Sequence, residues 1–109
     1  MRWCIENLKN EFPSAKIVII TPIQCAYGVR NINIQMPRNE RIKSTAYRLG
    51  CMVFDAFSES GIYSGFETSG SMGMYLVDGL HPYPPTGGKV LGEYISNKMM
   101  AYLSSEKGI

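Results

Sequence analysis

The chain has 109 residues, 45% of them apolar and 18% charged, with a formal charge of +2. That size and balance fit one small globular domain with a single core and exclude a disordered or fibrous chain. Eleven scattered Lys and Arg residues form no basic patch or stripe, which argues against a nucleic-acid partner.

Residues 2–11 set Cys4, Leu8 and Phe12 at four-residue steps beside Ile5, with Glu6, Lys9 and Asn10 opposite, which predicts an amphipathic helix stopped by Pro13. Ala15 to Ile20 is a short β-branched run without polar alternation, as in a strand covered on both faces, so a central place in a parallel sheet is expected. Thr21-Pro22 ends it. Residues 23–37, with Gly28, Pro37 and several Asn and Gln, predict a loop of the kind in which α/β units place function.

Residues 38–50 predict a second helix, with Ile42, Ala46 and Leu49 on one side and Arg38, Glu40, Arg41, Lys43 and Arg48 on a solvated face; Gly50 is its stop. Cys51 to Phe57 predicts a second buried strand. Asp55, near its carboxyl end, stands either in a ligand crevice or as the cap of a following turn, and the cap is the commoner role.

Residues 58–76 interleave Ser and Gly with aromatic and thioether side chains, which fits an irregular loop folded over a site better than a linker. Tyr63, Phe66, Met72, Met74 and Tyr83 either line an apolar pocket or simply pack. Beyond Pro84-Pro85, a last helix carries Leu91, Ile95, Met99 and Leu103 at helical spacing, supported by Val90, Tyr94 and Tyr102. Gly88 and Gly92 are expected to let its first turns approach a sheet.

Cys4, Cys25 and Cys51 are odd in number and widely spaced, and a single histidine is available to join them, so buried thiols are expected, with no metal site and no cofactor. No apolar run reaches the length of a membrane span, and Met1-Arg2-Trp3-Cys4 lacks the long apolar region of a signal peptide. If the chain is a piece of a longer protein, that start says little about compartment.

The single histidine concentrates the chemistry. In Val77-Asp78-Gly79-Leu80-His81-Pro82, a carboxylate stands three residues before it, with Gly79 to let the chain turn and Pro82 to stiffen the exit. A general-base imidazole needs a group on its other ring nitrogen to fix the tautomer, and Asp78 is placed to do this for His81. The plain alternative is a loop aspartate beside a surface histidine.

Helix, Pro13-Ser14-Ala15-Lys16-Ile17-Val18-Ile19-Ile20-Thr21-Pro22, helix, a strand ending in Asp55, then Asp78-Gly79-Leu80-His81-Pro82 and a closing amphipathic helix: this order resembles the C-terminal half of the SGNH hydrolases, also called GDSL lipases or esterases. The resemblance spans almost all of residues 1–109, read as one partial domain. It implies an α/β fold, a three-layer αβα, flavodoxin-like parallel sheet represented by its C-terminal portion. It also implies that His81 takes a proton from a serine nucleophile while Asp78 orients it, and that the substrate is an ester of a lipid, carbohydrate or small molecule.

The family's Gly-Asp-Ser turn and Gly-x-Asn-Asp block have no match in the chain, and the glycine expected early in the last helix falls one residue late, at Gly87. Ser69 and Ser71 lie in a loop without the strained turn that exposes a nucleophile. The chain alone is therefore expected to be an incompetent esterase. Two parallel strands leave open edges, so an ordered form is expected to be a homo-oligomer or to sit beside a missing N-terminal half. Two other classes stay open: a non-catalytic binding or assembly module on the same scaffold, and a small nucleotide-binding α/β protein, against which the lack of a Gly-rich phosphate loop argues.

Overall fold

A computed structural model describes residues 1–28 and 31–106. It contains α1 (Arg2–Glu11), β1 (Val18–Ile20), α2 (Ile32–Arg48), β2 (Met52–Phe54), α3 (Ala56–Glu59) and α4 (Lys89–Glu106). The two strands pair in parallel, Val18 opposite Met52, Ile19 opposite Val53 and Ile20 opposite Phe54. The α2 helix is the crossover that a parallel pair requires. No helix among the described residues is long and apolar enough to cross a membrane.

Strand alternation sorts the two faces of the sheet. Ile17, Ile19 and Val53 pack with Leu49 around a buried centre of Ile5, Ala46 and Cys51, so α1 and α2 cover that face. On the other face Phe54 is buried, while Met52 and Ile20, at 41% relative exposure, are open to solvent. The predicted central strand covered on both faces is thus corrected: β1 is one of two short strands and neither is enclosed. With the Ile17 carbonyl and the Thr21 amide turned to β2, the backbone groups of Val18 and Ile20 point to an edge where no described strand lies.

The first helix keeps its predicted bounds but not its predicted face. Ile5 alone is buried. Leu8 and Phe12 remain 45% and 59% exposed, and Cys4 is exposed while Cys25 and Cys51 are buried. Only the Ile5 side of α1 has the sheet to rest on.

The predicted loop over 23–37 is half helix. Asn31 caps α2 by accepting from the amides of Asn33 and Ile34, which starts the helix six residues ahead of Pro37. Inside the helix Pro37 lacks the N–H that would bond to the Asn33 carbonyl; both residues are exposed. Val29 and Arg30 of the predicted loop lie outside the described residues. At the other end Gly50 adopts φ +75° and ends α2 as expected.

Its charged side is less simple. Lys43, assigned to solvent, turns inward to Asp55, and Asn39 is buried beside it. The glycines of the last helix are also corrected. A Cβ on Gly92 would meet open space and one on Gly88 only ordinary contacts, whereas one on Gly87 would strike the Tyr75 carbonyl. The close approach is made by a single π-helical turn, Pro84–Gly88, against residue 75 and not by α4 against the sheet.

Candidate active site

Asp78 and His81 come together through a turn and a two-stranded ribbon. Gly79 takes φ +85°, a left-handed conformation that a Cβ would strain, and a Cβ there would also lie 2.7 Å from the Thr68 carbonyl oxygen. The turn lets Asp78 Oδ1 accept from the amides of Leu80, at 2.9 Å, and His81, at 2.8 Å. Its second oxygen, Oδ2, then sits 2.7 Å from His81 Nδ1.

On either side the chain pairs with itself. The Val77 amide donates to the His81 carbonyl and the Tyr83 amide to the Tyr75 carbonyl, both at 2.8 Å. Leu76 and Pro82 therefore face each other as the pair without hydrogen bonds, the position in which a proline's missing N–H is not needed. Leu76 points inward and is fully buried. By alternation Val77, His81, Tyr75 and Tyr83 share the outward face. The whole turn is anchored at Gly79, whose carbonyl accepts from the Ala26 amide at 2.8 Å, and at Asp78, whose carbonyl accepts from the Gly70 amide at 2.8 Å.

The electrostatics follow from this geometry. The His81 amide, then the His81 ring and the Leu80 amide, hold the Asp78 carboxyl down at about 2, so it is a full anion at neutral pH. With the proton on Nδ1, His81 donates to Asp78 and leaves Nε2 with a free lone pair. The His81 side chain is 70% exposed, so that lone pair opens outward. The arrangement can take a proton from a group presented to it and hold the resulting imidazolium against a fixed negative charge.

Asp55 takes the capping role. Its Oδ1 accepts from the Ser58 amide at the start of α3, from Asn39 Nδ2 and from the Thr21 hydroxyl, and Oδ2 pairs with Lys43 Nζ at 2.9 Å. Burial pushes the Asp55 carboxyl up, but the hydrogen bonds from Lys43, Asn39 and Ser58 outweigh it and bring it to about 2. Thr21 in turn accepts from the Phe57 amide at 3.1 Å. Both carboxylate oxygens are thereby committed to the fold.

Ser69 and Ser71 are exposed in a turn closed between Thr68 and Ser71, and no hydrogen bond joins either to His81. Tyr63, Phe66, Met72, Met74 and Tyr83 are exposed, so they are not core packing. Among the described residues no three of His, Cys, Asp and Glu converge as a metal site would require.

One residue the sequence reading passed over is Glu67. It is buried, and its carboxylate accepts from the amides of Leu76, at 2.8 Å, and Tyr75, at 3.1 and 3.2 Å. The available signal was its isolation: it is the one charged residue between Glu59 and Asp78. Comparisons with protein-family models, with curated proteins and with solved structures found no match for this chain.

Proposed function

We propose that this chain is the C-terminal part of an SGNH-type ester hydrolase, with a three-layer αβα, flavodoxin-like sheet in its complete form. The single observation that carries the reading is the 2.7 Å contact of Asp78 Oδ2 with His81 Nδ1, made by a turn that leaves the other ring nitrogen uncommitted. The parallel strand pair joined through α2 supports the same reading. So does the π-helical turn Pro84–Gly88, since a π-turn absorbs one extra residue in a helix and Gly87 stands one residue later than the family pattern.

In this mechanism a serine hydroxyl attacks the carbonyl carbon of an acyl or acetyl ester as its proton passes to His81 Nε2, with Asp78 facing the imidazolium. The tetrahedral intermediate collapses, and the departing alkoxide takes that proton. Water repeats the cycle on the acyl-enzyme and frees the acid. Serine and oxyanion donors come from outside the motifs in this chain, so the 109-residue chain alone does not turn over ester. The test joins it to the protein encoded upstream of Met1: a Gly-Asp-Ser turn there, with ester hydrolysis abolished by His81→Ala, is expected. Hydrolysis that survives His81→Ala, or an upstream sequence with no such turn, overturns the proposal.

A second reading, a binding or assembly module, is favoured by the open edge of β1 and the exposed Leu8 and Phe12. The chain exposes 7007 Å², against about 6,100 Å² for a folded monomer of its mass. In this reading a second copy covers the β1 edge, and a sedimenting monomer unaffected by Ile20→Lys would remove it.

A further inference from the structure

We infer that Glu67 is a positioning residue for the Asp78–His81 pair, acting as a side-chain brace where a third ribbon strand would otherwise stand. The inference rests on the hydrolase reading only in naming what the pair does. A buried carboxylate is tolerated when donors surround it. Among the described residues no Lys, Arg or His pairs with Glu67. Its partners are instead the two backbone amides, Tyr75 and Leu76, that lead directly into Val77 and Asp78.

The segment that begins at Glu67 touches the site strand and its turn at three points. At its start the carboxylate grips residues 75 and 76. Three residues on, the Gly70 amide donates to the Asp78 carbonyl at 2.8 Å, and the Thr68 carbonyl lies against Gly79. The brace thus ties the strand before the turn, and the turn itself, to one short segment, residues 67–70. Two glycines make the approach possible. A Cβ on Gly79 would meet Thr68, and a Cβ on Gly73 would strike the Glu67 carboxylate and lie 2.8 Å from its Cα. Because the Val77 amide and the Tyr83 amide close the ribbon onto His81 and Tyr75, displacement of Tyr75 and Leu76 moves His81 relative to Asp78. The 2.7 Å contact on Nδ1 is the quantity that changes.

The experiment reads the imidazole directly. His81 is the only histidine, so long-range proton–nitrogen spectra of the ¹⁵N-labelled 109-residue chain report its Nδ1–H to Nε2–H ratio without ambiguity. The neutral ring is expected to be mainly Nδ1–H in the native chain. Glu67→Ala is expected to lower the ratio roughly fivefold, the effect of one ordinary hydrogen bond, and Glu67→Gln, which keeps one accepting oxygen, to fall between. In the native chain the Tyr75 and Leu76 amides are expected to exchange as slowly as that of Val77. An unchanged ratio in Glu67→Ala overturns the proposal. If that variant does not fold, an unchanged ratio in Glu67→Gln, or fast exchange of the two native amides, does so. A chain that shows these shifts but belongs to no esterase keeps the brace and defeats the hydrolase reading.

Discussion

Two aspartates, Asp55 and Asp78, have carboxyls held at the same low value of about 2, and they reach it by opposite means. Asp55 collects Thr21 after β1, Asn39 and Lys43 on α2, and Ser58 in α3, from three separate stretches of chain. Asp78 uses its own turn: the Leu80 and His81 amides and the His81 ring, all within three residues. In the first cluster every partner is itself part of the framework, so charge is exchanged for cohesion. In the second the partner ring is itself exposed, and only one of its nitrogens is spent on the carboxylate. A depressed carboxylate therefore marks a chemical site only when its partner has something left to offer.

Exchanging each acid separates the two roles. Asp78→Asn has the largest expected effect. Its amide oxygen takes the place of Oδ1 under the two backbone amides, which puts the amide NH₂ against His81 Nδ1. The ring must then accept there and carry its proton on Nε2, the wrong tautomer for a base. The imidazole ratio in nitrogen spectra is expected to invert, and turnover in an assembled hydrolase to fall about a thousandfold, or ~4 kcal/mol. Stability should barely change. An unaltered ratio would place the working contact elsewhere.

Asp55→Ala is expected to do the reverse, costing about 2 kcal/mol in a denaturant titration through the lost cap and the lost bonds to Thr21, Asn39 and Lys43, the last keeping only Glu40 as its partner, with the His81 tautomer ratio unmoved. Acid titrates the same cluster. A carboxyl whose folded pKa lies below its unfolded value contributes fully above the unfolded value, near 4, and loses that contribution as pH falls toward 2. For Asp55 the loss is roughly 2 kcal/mol, absent in Asp55→Asn. Lys43 is shifted the other way, raised first by its bond to Asp55 and then by Glu40, so its contribution holds below its unfolded value and fades only at strongly alkaline pH. Denaturant midpoints across pH 2–5 in the two proteins check this.

The same contrast explains what the sequence made legible. The Asp78–His81 turn is written within four residues, so its glycine, proline and spacing announce the contact. The parallel pairing, the bounds of α1 and the presence of α4 also follow from local pattern, with Pro13 marking where α1 stops. Asp55 was readable as a cap, but Thr21, Asn39 and Lys43 were not readable as its partners, since those bonds exist only once β1, α2 and β2 are assembled. Lys43 looked like one more charge on a solvated face. Pro37 pointed to a loop because propensity weighs it more heavily than a cap six residues earlier, and Glu67 lay hidden because its partners are backbone amides, which leave no side-chain signature.

The smallest effect sharpens the comparison within the local site. Gly70 and Gly79 have nearly the same left-handed backbone, φ +77° and +85°, but a Cβ on Gly70 would meet open space while one on Gly79 would press on the Thr68 carbonyl. Gly70→Ala should cost only the conformational strain, about 1 kcal/mol. Gly79→Ala should cost roughly 1 kcal/mol more as the backbone yields, and it alone should loosen the Asp78–His81 contact and lower the Nδ1–H tautomer. Equal losses in the two variants, read by thermal unfolding, would mean that the turn leans on its own dihedral angles and not on the segment behind it, which would weaken the case for Glu67 as well.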